Sequence, residues 1–493
     1  MNSSSVINPY LIAAIVIAYF GLLILISHIT SRKANNDSFF TGNRQSPWYV
    51  VAYGMIGASL SGVTFMSVPG YVQTTQFTYF GVVFGYLFGY AAIALILLPL
   101  YYKLNLTSIY TYLEKRFGEK SQKTGSFFFI ISRLIGSALR MYLVVYVLHE
   151  FIFKSIGIPF WVLALVLIAL ILVYTFKGGI KTVVWTDTLQ TTFMLLATVI
   201  TVVCLLNEMD ISFIDMMKQA GEKGYSKLIE SDWRSNNYIV KQILSGAFIT
   251  IAMTGLDQDM MQKNLTCRSL RDAQKNMFSF SLSLIFVNLM FLVLGVALLF
   301  YSSQTGFALP EKSDSIFPAI AFHLNAFTGI VFTIGLVAAG YSSADGTLTS
   351  LTTTFCFDIL NFDKAEKYDE AKKTKIRKTT HIIFAVIYFG IIILFRPFHN
   401  DSLIKTLFDI AGYTYGPLLG LFTFGLVIKN RTVNDKFVPI IAILSPIISY
   451  IVSMYSEVLF NGYKFGFEIL IFNALITIIG LLFISKRNTV KLA

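Results

Sequence analysis

Charged residues are scarce in this chain, and cysteines are few. Only 13% of the 493 residues are Asp, Glu, Lys or Arg, about half the charged fraction of a typical soluble domain. This scarcity excludes a soluble enzyme and an intrinsically disordered protein. The three cysteines, Cys204, Cys267 and Cys356, form neither a disulfide framework nor a metal-binding motif.

The sequence also lacks the local motifs of several enzyme classes. It contains no P-loop, no glycine-rich Rossmann turn, no HExxH and no GxSxG, which mark nucleotide-binding proteins, zinc peptidases and serine hydrolases. We therefore predict that the chain is not an enzyme and that it does not pump by hydrolysing ATP.

Apolar runs of about 20 residues recur from one end of the chain to the other, and hydrophobic residues make up 55% of it. Each run is long enough to cross a hydrocarbon core of about 30 Å as a helix. The pattern predicts an all-α polytopic membrane protein, embedded in the lipid bilayer, with about thirteen spans. They lie at residues 9–29, 48–70, 77–101, 125–153, 158–176, 182–206, 238–258, 276–301, 326–356, 380–396, 403–428, 437–456 and 467–485.

The net charge of +12 is distributed unevenly between the two sets of alternating loops. Of the 39 Lys and Arg residues, 27 fall on the side that includes the C-terminal tail, Lys263 among them, and nine on the other. The positive-inside rule then predicts a cytoplasmic C-terminus and, with an odd number of spans, an outside N-terminus. The basic balance therefore reflects topology in a bacterial inner (plasma) membrane. It implies no nucleic-acid partner, and nothing in the sequence implies an obligate protein partner.

Two glycine-rich stretches are candidates for broken helices. Residues 54–62 read GMIGASLSG, and residues 245–257 read SGAFITIAMTGLD. Non-helical backbone at membrane depth is tolerated only where it lines a cavity or is buried in protein. Interruptions at matching positions of two five-helix units predict an inverted-repeat transporter. The alternative is close helix packing through small residues.

Ionisable residues within the spans are functional candidates by default. Asp345 lies mid-span, on one helical stripe with Ala339, Ser342, Ser343 and Gly346. The stripe offers oxygen ligands for a monovalent cation, or it forms a packing seam in which an arginine neutralises Asp345. Asp257 and Asp259 fall near a span end, where we predict that they face the membrane interface.

Arg133 and Arg140 are seven residues apart, and hence on one face of the fourth span. Two interpretations stay open for this pair. The arginines form ion pairs with Asp187 or Asp345, or one of them receives a carboxylate substrate through bidentate hydrogen bonds.

Four segments in order resemble the sodium:solute symporter family: FFTGNRQSPW at 39–48, TSIYTYLEKRFG at 107–118, GGIKTVVWTDTLQ at 178–190 and AAGYSSAD at 338–345. The resemblance implies a LeuT-like fold with five-plus-five inverted repeats. It divides the chain into an extra N-terminal helix and inner loop (1–47), a first repeat (48–206), an extracellular loop (207–237), a second repeat (238–428) and two C-terminal helices with a tail (429–493).

The same resemblance implies sodium sites. The main site would use backbone oxygens of Gly57, Leu60 and Ala339 with the hydroxyls of Ser342 and Ser343. A second site, present in some branches of the family, would involve Asp187, Ser342 and Asp345. Two serines of those branches correspond here to Asp345 and Gly346, which changes the second set of ligands.

Solute contacts are implied as well, at Ser59, Ser61, Gly62, Thr64, Arg133, Arg140, Thr250 and Met253. In the sialic acid branch an arginine of the third core helix holds the carboxylate, and Gly136 aligns with it here. The polar residue that relatives carry on the second core helix falls near Val83.

We therefore predict sodium-coupled uptake of a small polar organic solute, such as a sugar, sialic acid or carboxylate, by alternating access. Two alternatives remain at this stage. One is a proton-coupled or sodium-independent permease of the same fold, with Asp187 or Asp345 titrating. The other is a membrane sensor or channel.

Overall fold

The computed structural model describes residues 8–32, 35–362, 368–398 and 403–487. These ranges are almost entirely helical, with one short β-hairpin formed by β1 (Arg431–Val433) and β2 (Ser485–Arg487). The α-helices are numbered here in chain order: α1 (Pro9–Thr30), α2 (Asn36–Thr41), α3 (Trp48–Thr75), α4 (Phe80–Ala92), α5 (Leu98–Lys103), α6 (Thr111–Arg116), α7 (Glu119–Phe151), α8 (Phe160–Gly178), α9 (Ile180–Glu208), α10 (Phe213–Glu222), α11 (Ile239–Thr250), α12 (Gln258–Asn264), α13 (Leu270–Thr305), α14 (Ile316–Leu324), α15 (Ala326–Thr354), α16 (Glu370–Phe395), α17 (Leu403–Val427), α18 (Val438–Met454), α19 (Ser456–Leu459) and α20 (Ile469–Phe483).

Short non-α turns join or extend several of these helices. Three single-turn π-helical segments follow α4, α11 and α15, at Ile93–Leu97, Ile251–Gly255 and Phe355–Ile359. The 3-10 turns lie at Gly42–Arg44, Phe153–Ile156, Ser313–Ser315, Arg396–Phe398 and Asp435–Phe437.

Each of the thirteen predicted apolar runs coincides with a helix or a helix pair. Eleven helices in the described ranges are long and apolar enough to cross a bilayer, with α4 and α5 counted as one span. A twelfth span is the pair α11 and α12, whose axes differ by 71°. The thirteenth helix, α20, has 15 residues and is about 22 Å long, which is shorter than the hydrocarbon core.

Burial separates central helices from peripheral ones. In the most apolar stretches of α3 and α7, 83% of the residues are buried, compared with 22% in α18. The exposed residues of α18 are large and apolar, including Ile443, Ile447 and Ile451. A helix whose outward side chains are apolar is stable in lipid rather than in water. The structure therefore places α3 and α7 in the protein interior and α18 at its lipid-facing edge.

Small residues allow α4 and α11 to pack closely. A Cβ added to Gly85 would overlap the carbonyl oxygen of Ile243, and one added to Gly246 would overlap that of Val82. Gly57 approaches Thr191 of α9 in the same way, and its backbone N–H donates to the Thr191 hydroxyl at 3.0 Å. These glycines therefore allow close helix packing, which was the alternative to a helix break, and the breaks themselves lie at other residues of the same two stretches.

The breaks lie a few residues beyond those glycines. In α3 the helix is interrupted at Ser61, whose φ of 31° and ψ of 170° are not helical. In the other segment the π-helical turn Ile251–Gly255 precedes the bend into α12. The first helix of each predicted repeat is thus interrupted. The repeat boundaries at 48–206 and 238–428 remain predictions.

One arginine ties the end of α17 to the short helix before α7. Arg116 Nε donates to the carbonyl of Gly425 at 3.2 Å, and Arg116 Nη2 donates to those of Ile428 at 2.8 Å and Arg431 at 2.9 Å. Asp435 in turn accepts from the backbone N–H groups of Lys120 and Ser121 in the first turn of α7. These bonds satisfy orphan groups at both helix ends.

Candidate functional site

A cavity of about 70 Å³ lies where α3, α4, α7, α11 and α17 meet. Six of the eight predicted solute contacts line it, namely Ser59, Thr64, Arg133, Arg140, Thr250 and Met253. The other two, Ser61 and Gly62, are buried in α3 beside it and are not part of the lining. The structure therefore brings most of these residues to one place, while their role as solute contacts stays a prediction.

Three tyrosines at the start of α4 and within it also line the cavity, and the sequence prediction missed them. Tyr79, Tyr86 and Tyr90 are seven and four residues apart and share one face of the helix. The hydroxyls of Tyr79 and Tyr86 are 3.2 Å apart. Val83, which aligns with a polar residue of relatives, is fully buried and is not in the lining. The spacing of the tyrosines was a usable signal for this polar face.

The break in α3 places backbone beside α15. Ser61 has a positive φ, which is uncommon for a residue with a side chain and costs on the order of 1–3 kcal/mol. Next to it, a Cβ on Gly62 would lie 3.6 Å from the Cα of Gly340. Interrupted backbone next to a second helix is the arrangement in which transporters coordinate a cation with freed carbonyls.

The five predicted ligands of the main sodium site are all buried, on α3 and α15. Two of them already share a hydrogen bond, since the Ser342 hydroxyl donates to the Ala339 carbonyl at 3.2 Å. The Ser343 hydroxyl accepts from Arg140 Nη1 at 3.3 Å. Carbonyl and hydroxyl oxygens are chemically suited to a hard monovalent cation. The ligand roles of Gly57, Leu60, Ala339, Ser342 and Ser343 stay predictions.

Arg140 has a buried guanidinium without a carboxylate partner. Its side chain is 6% exposed, and among the described side chains it bonds to Ser343. Its Nε has no hydrogen-bond partner among the residues that the structure describes. Within the part of the chain that the structure describes, no carboxylate lies within ion-pair distance of it. A positive charge therefore faces the cavity.

Arg133 is paired, and with partners that the sequence prediction placed elsewhere. Its Nη2 forms a short ion pair with Asp259 Oδ2, and its Nη1 lies 3.7 Å from Asp257 Oδ2. Both aspartates are completely buried. The prediction that they face the membrane interface is wrong, because the bend before α12 turns them towards α7. Neither Asp187 nor Asp345 pairs with Arg133 among the described residues.

Asp187 likewise has an unexpected partner. Lys263, which the sequence prediction counted with the inner loops, is 1% exposed. Its Nζ lies 2.9 Å from Asp187 Oδ2 and 3.7 Å from Asp259 Oδ1. Of the two interpretations left open for the arginines, an ion pair with Asp187 is not found among the described residues: the pairing cation is a lysine of α12, again because the helix bends back into the protein.

Asp345 is held by neutral donors in the described structure. Its Oδ2 accepts from the Tyr174 hydroxyl at 3.0 Å and from the Thr186 hydroxyl at 3.5 Å, and its Oδ1 accepts from the backbone N–H of Gly346 at 2.6 Å. The predicted arginine partner is absent from the described contacts of Asp345. Asp187, Ser342 and Asp345 remain only predicted ligands of a second sodium ion.

Comparison with known proteins identifies relatives along most of the chain. The model of the sodium:solute symporter family matches residues 39–442. The sodium/sialic acid symporter NanT of Aliivibrio fischeri is 25% identical over 448 residues, which cover 87% of this chain and 86% of that protein. The sodium-coupled monocarboxylate transporter 2 of Mus musculus is 22% identical over 413 residues, or 80% of this chain and 64% of that protein.

A solved structure shares the fold. The substrate-bound, outward-open state of a Na+-coupled sialic acid symporter, for which a novel Na+-site is described, superposes with a TM-score of 0.81 at 22% identity. The match covers 97% of this chain and 99% of that one. It confirms the predicted LeuT-like architecture. The chain is a multi-pass membrane protein and a secondary active transporter that couples solute uptake to sodium, and it belongs to the sodium:solute symporter family.

Proposed function

We propose that this transporter carries a small solute bearing a carboxylate, and that Arg140 anchors the carboxylate. The observation behind the proposal is the guanidinium of Arg140, which lines the cavity, is buried and lacks a carboxylate partner among the described residues. A buried charge without a partner is strongly unfavourable, and a bound anion removes that cost. Arginine is also the side chain best suited to bidentate recognition of a carboxylate.

The charge of the cavity favours acids over neutral sugars. A sugar offers hydroxyls to the guanidinium but leaves its charge uncompensated, whereas a carboxylate neutralises it. The two relatives described above are named for sialic acid and monocarboxylates, and both kinds of solute carry a carboxylate. This agreement supports the proposal without identifying the solute.

The size of the cavity favours a small acid in this conformation. A volume of about 70 Å³ accommodates on the order of five water-sized groups. A solute as large as a sialic acid requires the lining side chains, among them Tyr86 and Phe408, to withdraw.

Arg140 also connects the solute to the predicted sodium ligands. Its contact with Ser343 places a positive charge beside the main site formed by Gly57, Leu60, Ala339, Ser342 and Ser343. The guanidinium lowers the affinity for a sodium ion there, and a solute carboxylate that compensates its charge raises that affinity. Each co-substrate therefore favours binding of the other, and this coupling is reciprocal.

The driving force depends on how many sodium ions accompany the acid. A tenfold sodium gradient is worth about 1.4 kcal/mol, and one charge crossing 100 mV is worth about 2.3 kcal/mol. With one sodium and one monoanion, the electrical contributions cancel and accumulation reaches about tenfold. With two sodium ions it reaches several thousand-fold.

Solute screening with a matched variant tests this proposal. We expect carboxylates to raise the thermal midpoint of the purified protein in NaCl, and not in choline chloride, and to accumulate in proteoliposomes with a sodium gradient. In Arg140→Gln we expect the response to acids to be lost while the midpoint without solute stays near that of the wild type. Stabilisation of Arg140→Gln by the same acid, with the same affinity, contradicts the assignment.

We also propose a bacterial inner membrane location with the N-terminus outside and the C-terminus in the cytoplasm. The bias of loop Lys and Arg residues supports it, and excluding the buried Lys263 changes the count by only one residue. In a background without the three native cysteines, an impermeant maleimide should label Lys227→Cys in intact cells and Lys429→Cys only after lysis. The reverse pattern contradicts the proposed orientation.

A further inference from the structure

A buried ammonium group lies beside Asp187, on the carboxylate for which a second sodium ion is predicted. Lys263 Nζ is 2.9 Å from Asp187 Oδ2 and 3.7 Å from Asp259 Oδ1. The lysine and both aspartates are at most 1% exposed. The contact is thus a desolvated ion pair inside the protein, and its charge is not screened by water.

The fold holds Lys263 in that position from several sides. The bend of 71° before α12 turns this short helix inwards, where it packs on α9 and α15. Asp259 lies one helical turn before Lys263 and is itself fixed by Arg133. Because Asp187 is buried and Lys263 is its cation, the ammonium cannot leave without a large cost from an unpaired charge in the protein interior.

The part of α15 that faces Lys263 has no side chain at position 346, which leaves room for the lysine. Gly346 of α15 faces α12, and a Cβ at this position would lie 2.8 Å from Lys263 Nζ and would overlap Asp259 Oδ1. Any side chain at position 346 therefore displaces the ammonium or its partner. This steric fit does not depend on the charges, and it also indicates that Lys263 is held at this position.

We propose that the ammonium of Lys263 permanently occupies the cation position at Asp187, excludes a second sodium ion, and leaves one sodium per transport cycle. The inference rests on the proposed sodium-coupled transport of an acid at the main site. A sodium ion in contact with the Asp187 carboxylate would lie a few ångströms from the ammonium, and like charges at that distance in a buried site repel strongly.

Removing the ammonium should create a second cation site. Lys263→Ala leaves the carboxylate of Asp187 without its cation and removes one of the two cations at Asp259, next to Asp345, whose hydrogen-bond donors among the described residues are neutral. Carboxylate oxygens are good ligands for a hard cation. Once the ammonium of Lys263 is removed, we therefore expect a sodium ion to bind to these oxygens.

Sodium binding measured without any solute tests the inference on the full-length protein in lipid nanodiscs. We expect radioactive sodium to bind with one ion per chain in the wild type and two in Lys263→Ala. Lys263→Arg, which keeps the charge, should bind one. Asp187→Asn combined with Lys263→Ala should also bind one, because the added site needs the Asp187 carboxylate.

The outcomes separate this inference from the proposed function. Two ions bound by the wild type, or one bound by folded Lys263→Ala, overturn the role of Lys263 and leave sodium-coupled transport intact. No sodium bound by the wild type contradicts the proposed main site itself. If Lys263→Ala does not fold, Lys263→Ser removes the charge while it keeps a polar group and the Asp187 carboxylate; two bound ions support the inference, and one overturns it.

Discussion

Arg133 and Arg140 occupy the same face of the same helix, are 4% and 6% exposed, and both line the central cavity. They differ in what faces them. Arg133 meets Asp257 and Asp259, which come from the segment after the bend, whereas Arg140 meets the hydroxyl of Ser343. Two arginines on one face of one helix thus differ in their partners: Arg133 is paired with two buried carboxylates, and Arg140 has no carboxylate partner among the described residues.

The largest expected effect is a loss of stability when Arg133, the arginine with carboxylate partners, is replaced. Arg133→Met leaves two buried carboxylates without their cation, so we expect it to lower the free energy of unfolding by about 3–5 kcal/mol, measured as a lower thermal midpoint in detergent. Arg133→Met combined with Asp257→Asn and Asp259→Asn should recover most of that loss. Equal destabilisation by Arg140→Met would remove the distinction between the two arginines.

A smaller effect, on substrate affinity, is expected when Arg140 is replaced by a residue that keeps its charge. Arg140→Lys retains the positive charge but loses the planar fork that binds a carboxylate through two hydrogen bonds. We expect KM for the transported acid to rise about tenfold, which corresponds to about 1.4 kcal/mol. Uptake kinetics in proteoliposomes measure it. An unchanged KM would mean that Arg140 acts only as a point charge.

The next effect concerns the environment of Arg133. The Tyr415 hydroxyl donates to Asp257 Oδ2 at 2.6 Å, and we expect Tyr415→Phe to lower stability by about 1 kcal/mol, the scale of hydrogen bonds between helices in membranes. The sodium dependence of uptake should not change. A marked change in sodium affinity would show that the cluster around Arg133 also takes part in ion binding.

The smallest effect is expected at the contact between Arg140 and the predicted sodium site. Ser343→Ala removes a hydroxyl, and we expect the sodium concentration for half-maximal uptake to rise about threefold, in line with the loss of one polar contact. Ser350→Ala, also on α15 and buried, is the control. A sodium affinity that is the same in both variants and the wild type would exclude the Ser343 hydroxyl as a ligand.

The helices were largely predictable because the bilayer imposes a length on every apolar run. The cavity lining on α7 was predictable because arginines at membrane depth are rare, and the lining on α3 was predicted from the resemblance to the sodium:solute symporter family. The tyrosine face of α4 was also readable from spacing, although the prediction looked for it at Val83.

The partners of the buried charges were not predictable in this way. The apolar run of α11 ends just before Asp257, so Asp257, Asp259 and Lys263 have the pattern of a helix end followed by a loop. Only the bend of 71° directs them inwards, and that angle depends on packing against α9 and α15. The helix breaks lie within the two glycine-rich stretches in which they were predicted, at Ser61 and at the turn Ile251–Gly255, whereas Gly57 and Gly246 mark tight contacts.

The three carbonyl contacts of Arg116 have a mechanical consequence. They fasten the end of α17 to α6, and Asp435, just beyond β1, caps the first turn of α7. As long as these hydrogen bonds persist, a tilt of α17 also moves the N-terminal end of α7. Arg140, further along α7, and the cavity-lining residues Leu407 and Phe408 of α17 are therefore mechanically connected.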